Sequence, residues 1–204
     1  MEPITVCENV CRDFSWVVPV TEWLANVAIV LGIFLAWYQL GNWRREALAK
    51  KKQDVAEEII AAINDFDSAL KFVRSPWGSV PPDDYDGPAP FEWYERLERL
   101  HQRKDDFDKL RRSSVRAKAL FGDDEIDRAI EDLFAVRQEV WAALSTLASR
   151  EKRFQSEDSE LRKFYLGLRH KVYGTYEEGD LLGQKQALAL VKLETKLYPV
   201  LRIE

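Results

Sequence analysis

The chain has 204 residues, with 30 lysines and arginines against 35 aspartates and glutamates, and the resulting charge of −5 argues against a nucleic-acid surface. Charged residues make up 32% and aromatics 12%, which sets aside disordered and fibrous classes. About 160 residues follow the first apolar run, enough for one domain with its own core.

Residues 1–20 read as a short tail that carries both cysteines, Cys7 and Cys11. Residues four apart can come within disulfide reach in a turn, so an oxidised bridge and two free thiols are both open readings. With no third or fourth ligand nearby, a metal there is not expected.

From Trp23 through Trp43 there is no acidic or basic side chain. A helix of about 20 apolar residues rises about 30 Å, the thickness of a bilayer's hydrocarbon core. Residues 21–42 are therefore expected to be a transmembrane helix. Pro19 and Thr21 are read as preceding it, with Thr21 as its cap and Glu22 at the positive end of its dipole. Trp16 and Trp23 at one end, and Trp37, Tyr38 and Trp43 at the other, supply interfacial aromatic belts. Ala25, Ala28, Gly32 and Ala36 share a narrow arc whose spacing lets two backbones approach, so a homo-oligomer through the span is expected. Asn26 lies off that arc.

Arg44, Arg45, Lys50, Lys51 and Lys52 follow the span, whereas Arg12 alone precedes it. The positive-inside rule then puts the tail outside and residues 43–204 in the cytoplasm, with those five cations at the lipid headgroups of the plasma (bacterial inner) membrane. The N-terminus lacks a basic region and the apolar run lacks a small-residue cleavage site, so the span is expected to remain as a signal anchor.

Past the span, Leu48, Val55, Ile59, Ile63, Phe66, Leu70 and Val73 recur at helical steps, which extends the same helix to about Arg74. Ser75 to Phe91, rich in proline and aspartate, predicts the one long loop. Its Asp83, Asp84 and Asp86 lack the spacing of a calcium loop and read as an exposed acidic turn. Trp77, Tyr85, Phe91, Trp93 and Tyr94 cluster around it and are either anchors for a protein partner or a cap on the core.

A second helix is predicted from Phe91 to Leu120, burying Leu97, Leu100, Phe107, Leu110 and Ala117, with Gly122 and Asp123 as stop and cap. The third has the best repeat: Ile126, Ile130, Leu133, Arg137, Val140, Leu144, Leu147 and Phe154. Arg137 in that seam would need a carboxylate from another helix. A break is read at 155–159, after which Leu161, Phe164, Leu168 and Val172 resume the stripe. A last helix from about Asp180 carries Leu181, Leu188, Val191, Leu197 and Leu201, with Pro199 loosening its final turn. The expected fold is all-α: a transmembrane helix continuing into a long helix of an antiparallel up-down bundle of about four or five helices.

The runs Trp37-Tyr38-Gln39-Leu40, Trp43-Arg44-Arg45-Glu46, Ala56-Glu57-Glu58 and Val73-Arg74-Ser75-Pro76 resemble those of a group of uncharacterised bacterial single-pass membrane proteins with a cytoplasmic helical domain. So do Arg116 to Gly122, Leu193-Glu194 and Tyr198 to Leu201; the match covers most of the chain after residue 35. The loop departs from the pattern, being rich in proline and aspartate where the group has glycine. The resemblance implies a bacterial inner membrane and carries no activity.

His101 and His170 are the only histidines, and both cysteines fall on the far side of the span. Glu98-x-x-His101 has the spacing of a di-metal ligand pair but no second copy, so no metal is expected. No phosphate loop, nucleophile elbow or dinucleotide glycine pattern appears, and neither an enzyme nor a cofactor is expected. Two readings remain. One is an anchored scaffold or sensor that offers its distal loop to a cytoplasmic protein. The other is an oligomeric effector, of toxin or phage-defence type, that acts through its assembled spans.

Overall fold

The computed structural model describes residues 17–87, 90–154, 159–174 and 179–202; side chains are described from Trp23 onward and, in the fourth helix, up to Ser149. Cys7, Cys11 and Trp16 lie outside the described residues, as do the side chains of Thr21, Glu22 and Phe154. Among the described residues the chain is all-helical: α1 Val17–Arg74, α2 Phe91–Gln102, α3 Lys104–Phe121, α4 Asp124–Phe154, α5 Ser159–Val172 and α6 Leu181–Leu201. It divides into two units, Met1–Lys50 and Lys51–Glu204.

In the first unit α1 begins at Val17, earlier than its apolar run suggests. Pro19 and Thr21 therefore lie inside the helix, and no acidic residue falls in its first turn, so neither the Thr21 cap nor the Glu22 dipole reading holds. Pro19 is tolerated because N–H groups in a first turn have no intrahelical acceptor to lose. From Trp23 the side chains are exposed around the whole circumference, Ile29, Leu31, Phe34, Leu35 and Trp37 among them. None of its most apolar 18-residue window is buried, and the helix is long and apolar enough to cross a membrane. Such an all-round apolar helix without protein cover is what a hydrocarbon solvent favours.

In the second unit, Ile59, Ile63, Phe66, Leu70 and Val73 of α1 are buried with Phe107, Leu110 and Ala117 of α3. Glu58 pairs with Arg116 and Asp65 with Lys109, so α1 and α3 run in opposite senses. The same holds for α1 and α6, where Gln186 bonds Asp67 and Arg74 bonds Asp180. It holds again for α3 and α4, where Lys118 meets Asp127 and Arg111 lies over Phe134. Helix α4 is central, packing on α2, α3, α5 and α6. Its predicted seam is buried at Ile126, Ile130, Leu133, Val140, Leu144 and Leu147.

Three expectations are corrected. The helix read from Phe91 to Leu120 is two helices that meet at Arg103. The break falls in Gln102-Arg103-Lys104, which buries nothing, and Asp105 and Asp106 favour a fresh N-terminus there by charge. In α5 only Val172 is fully buried, with Tyr165 and Leu168 partly so, while Leu161 and Phe164 are exposed. The Lys171–Glu139 ion pair sets a register in which those two stand level with Ser149 and Thr146 of α4, whose side chains are polar. In α6 the inward face is Leu182, Gln186, Ala189, Leu193 and Leu197, whereas Leu181, Leu188 and Val191 are exposed. Apolar residues surround α6, so the bonds of Asp180 and Gln186 to α1, rather than periodicity, decide which face turns inward.

The α3–α4 junction follows expectation. Gly122 adopts φ +59°, a left-handed cap that a Cβ would strain, and its N–H bonds Lys118 O at 3.2 Å. Asp123 accepts the Glu125 N–H at 2.8 Å, and that hydrogen bond, with Lys196 nearby, holds its carboxyl below the usual range.

Candidate functional site

The end of α1, the loop after it and the start of α6 build one cleft of about 920 Å³, within the size range of ligand and peptide sites. Its polar floor begins with Arg74, 4% exposed, whose Nη2 donates to Asp180 Oδ1 at 2.6 Å. The same Oδ1 accepts the Gly183 N–H at 2.9 Å, so one carboxylate caps α6 and neutralises the last residue of α1. The Gly174 N–H closes the α1 terminus by bonding Arg74 O at 2.9 Å. Along the wall, Asp67 accepts from Gln186 Nε2 and from Lys71 Nζ, each at 2.7 Å.

The loop that forms the cleft's rim is held from below by α2. Arg96 donates to Ser75 O at 3.1 Å and Arg99 to Trp77 O at 2.8 Å and Phe72 O at 3.3 Å. These guanidiniums satisfy carbonyls at the negative end of α1, where cations are favoured. Burial by itself would raise Glu95, but hydrogen bonds from the Ser79 N–H, the Ser79 hydroxyl and Arg99 outweigh it and hold the carboxyl below its ordinary value. Burial pulls the Arg96 guanidinium down from its usual range, and the Tyr173 ring covers it at 4.6 Å.

Trp77 thus has a fixed backbone and a free side chain, 83% exposed. With Phe72, Pro76, Ala187 and Leu190 it makes the apolar part of the lining. The five aromatic residues singled out in the sequence do not act together. Trp93 is fully buried beside Tyr173, their ring centroids 6.0 Å apart, and belongs to the core. Trp93 offers no surface to a partner, contrary to the sequence expectation, because its face of α2 is the one that also buries Arg96 and Leu100. Tyr85 and Phe91 meet edge to face at 5.2 Å and Tyr94 joins them at 6.0 Å, a local cluster that folds the loop back on α2. The Tyr85 ring lies directly over Gly87, so a side chain there would push the ring aside. The acidic turn is present, closed by Tyr85 N–H to Pro82 O at 3.1 Å.

Of the other predicted residues, Ala25, Ala28, Gly32 and Ala36 are exposed on α1, and nothing lies within 4 Å of a Cβ built at Gly32. Arg44, Arg45, Lys50 and Lys51 are exposed and Lys52 half-exposed. Glu98, His101 and His170 are exposed, and among the described residues no three metal-capable side chains lie together. Arg74, Glu95, Arg96, Arg99 and Asp180 went unread in the sequence. The available signal was the spacing of Glu92 with Arg96 and of Glu95 with Arg99, four residues apart on one helix.

No family model matches the chain, and no curated protein or solved structure matches it.

Proposed function

We propose that this chain is a membrane-anchored interaction protein: α1 crosses a bacterial inner membrane at residues 21–42, and the helices beyond it form a cytoplasmic antiparallel bundle. The opposite senses of α1 with α3 and α6, and of α3 with α4, support the bundle. Arg44, Arg45, Lys50, Lys51 and Lys52 would lie against anionic headgroups. The cleft beside Trp77 would hold a segment of a cytoplasmic protein partner, its apolar side chains on Phe72, Trp77 and Leu190 and its polar groups toward Asp67 and Gln186. The observation that carries this is the pairing of a fully presented tryptophan with a backbone already immobilised by Arg99. An aromatic anchor that loses little freedom on binding is the usual centre of an interface.

The test compares Trp77→Ala with the wild type by in-cell crosslinking and recovery from membranes, with thermal unfolding in parallel. An exposed side chain contributes about 0.5 kcal/mol or less to stability, so the melting temperature should hold while the crosslinked species disappear. Unchanged crosslinks with a melting temperature several degrees lower would mean that Trp77 only caps the core.

A further inference from the structure

Arg137 sits in the α4 seam, where a guanidinium calls for a carboxylate, and among the described residues the carboxylate that acts on it, Asp108, makes no close ion pair with it. Its Nε is buried without an acceptor, and its close neighbour is the face of Phe107, 4.7 Å from the guanidinium carbon. Burial pulls Arg137 below the usual guanidinium range, Arg111 pulls it further, and Asp108 opposes them. Arg111 makes the reciprocal contact across the α3–α4 seam, over Phe134 at 5.3 Å. The Phe107 face returns part of the cost of holding the Arg137 charge partly out of water, but a ring face offers no acceptor to its Nε.

Arg137 and Arg111 both line a cleft of about 320 Å³, separate from the one beside Trp77. Lys104 and His101 contribute to the same lining, Trp141 forms a partly exposed ring wall, and Asp108 is its one acidic residue. Lys104, Arg111 and Arg137 face the single carboxylate of Asp108, so the cleft is positive within a chain that is negative overall.

We propose that this cleft binds a small aromatic oxyanion, a phosphate monoester or an aryl carboxylate, which supplies the acidic partner that the seam arginine lacks. The oxyanion takes the Arg137, Arg111 and Lys104 donors, and the planar body lies against Trp141. Guanidiniums suit this role because their fork of N–H groups matches two oxygens at once. The volume limits the ligand to roughly the size of a mononucleotide, near the lower end of the range for ligand pockets.

Thermal unfolding of the full chain in detergent micelles, in 0.1 M KCl, tests this with three probes: AMP, benzoate and adenosine. A ligand that binds only the folded state raises the melting temperature, and a millimolar anion should raise it by about 3 °C. AMP or benzoate should do so, and adenosine, which lacks the oxyanion, should not. Arg137→Met keeps the side-chain length on Phe107 and should abolish the shift. Arg111→Gln alters an exposed residue, leaves the fold intact, and should at least halve the shift. The proposal is overturned if neither anion shifts the wild type, if adenosine shifts it equally, or if the shift survives in Arg111→Gln and Arg137→Met.

Discussion

Arg74 closes α1 with a guanidinium placed 2.6 Å from Asp180, a partner 106 residues away in sequence. Both side chains are nearly inaccessible to water, at 4% and 9%, so the pair must be judged as buried ions rather than as a surface bridge. Asp180 has a second duty as cap of α6 through the Gly183 N–H. Removing the carboxylate strands a buried cation, at a cost of about 3–5 kcal/mol, and also loses a cap worth about 1 kcal/mol. Arg74→Met should cost less than Asp180→Ala, because Asp180 keeps its cap donors. The double variant should recover at least about 1 kcal/mol relative to the sum of the singles. Urea unfolding of all three checks this, and simple additivity would remove Arg74 from its assigned role. Nothing in the local sequence announced the pair. A lone arginine before Ser75-Pro76 reads as a helix end, and its partner is supplied only by the return of the chain at α6.

At the scale of elements, legibility followed how sharply each helix separates its faces. Helix α4 sets Ile126, Ile130, Leu133, Val140, Leu144 and Leu147 at steps of four and three, a stripe readable as core that the structure buries. Helix α6 has leucine, alanine and valine on every side, so a stripe through Leu181 and Leu188 is as periodic as the buried one, yet both of these face out. The aromatic residues of the loop failed for a different reason: Trp93 is one step inside α2, where the buried arginines share its face, and composition alone does not distinguish it from Trp77. In the first unit, Ala25, Ala28, Gly32 and Ala36 leave one flank of α1 smooth and uncovered. In lipid, apolar burial drives no association, and close backbone approach across such a flank is a main source of it. Gly32→Ile should abolish the signal of residues 20–42 in a genetic dimerisation assay, whereas Val30→Ile, off that arc, should not. Equal signals from the two would show that the span does not pack through this face.

For the whole molecule, the sequence carried the all-helical class, the long first helix to Arg74 and the turn at Gly122, because each rests on local chemistry. It did not carry the two clefts, which arise only where α1 meets α6 and where α2 and α3 meet α4. The orientation proposed for the chain rests on charge alone, five cations within nine residues after the apolar run against Arg12 before it. Cationic flanks resist translocation and are further held by anionic lipid at about 1 kcal/mol for each residue near the surface. Cys7 and Cys11, the only native thiols, should therefore face outward, and a cysteine at the exposed position of Ser149 should face the cytoplasm. A membrane-impermeant maleimide applied to intact, mildly reduced cells should label the native chain. It should leave a Cys7→Ser, Cys11→Ser, Ser149→Cys variant unlabelled until the membrane is opened. Labelling of that variant in intact cells would reverse the topology and expose both clefts to the outside, where a cytoplasmic partner could not reach Trp77.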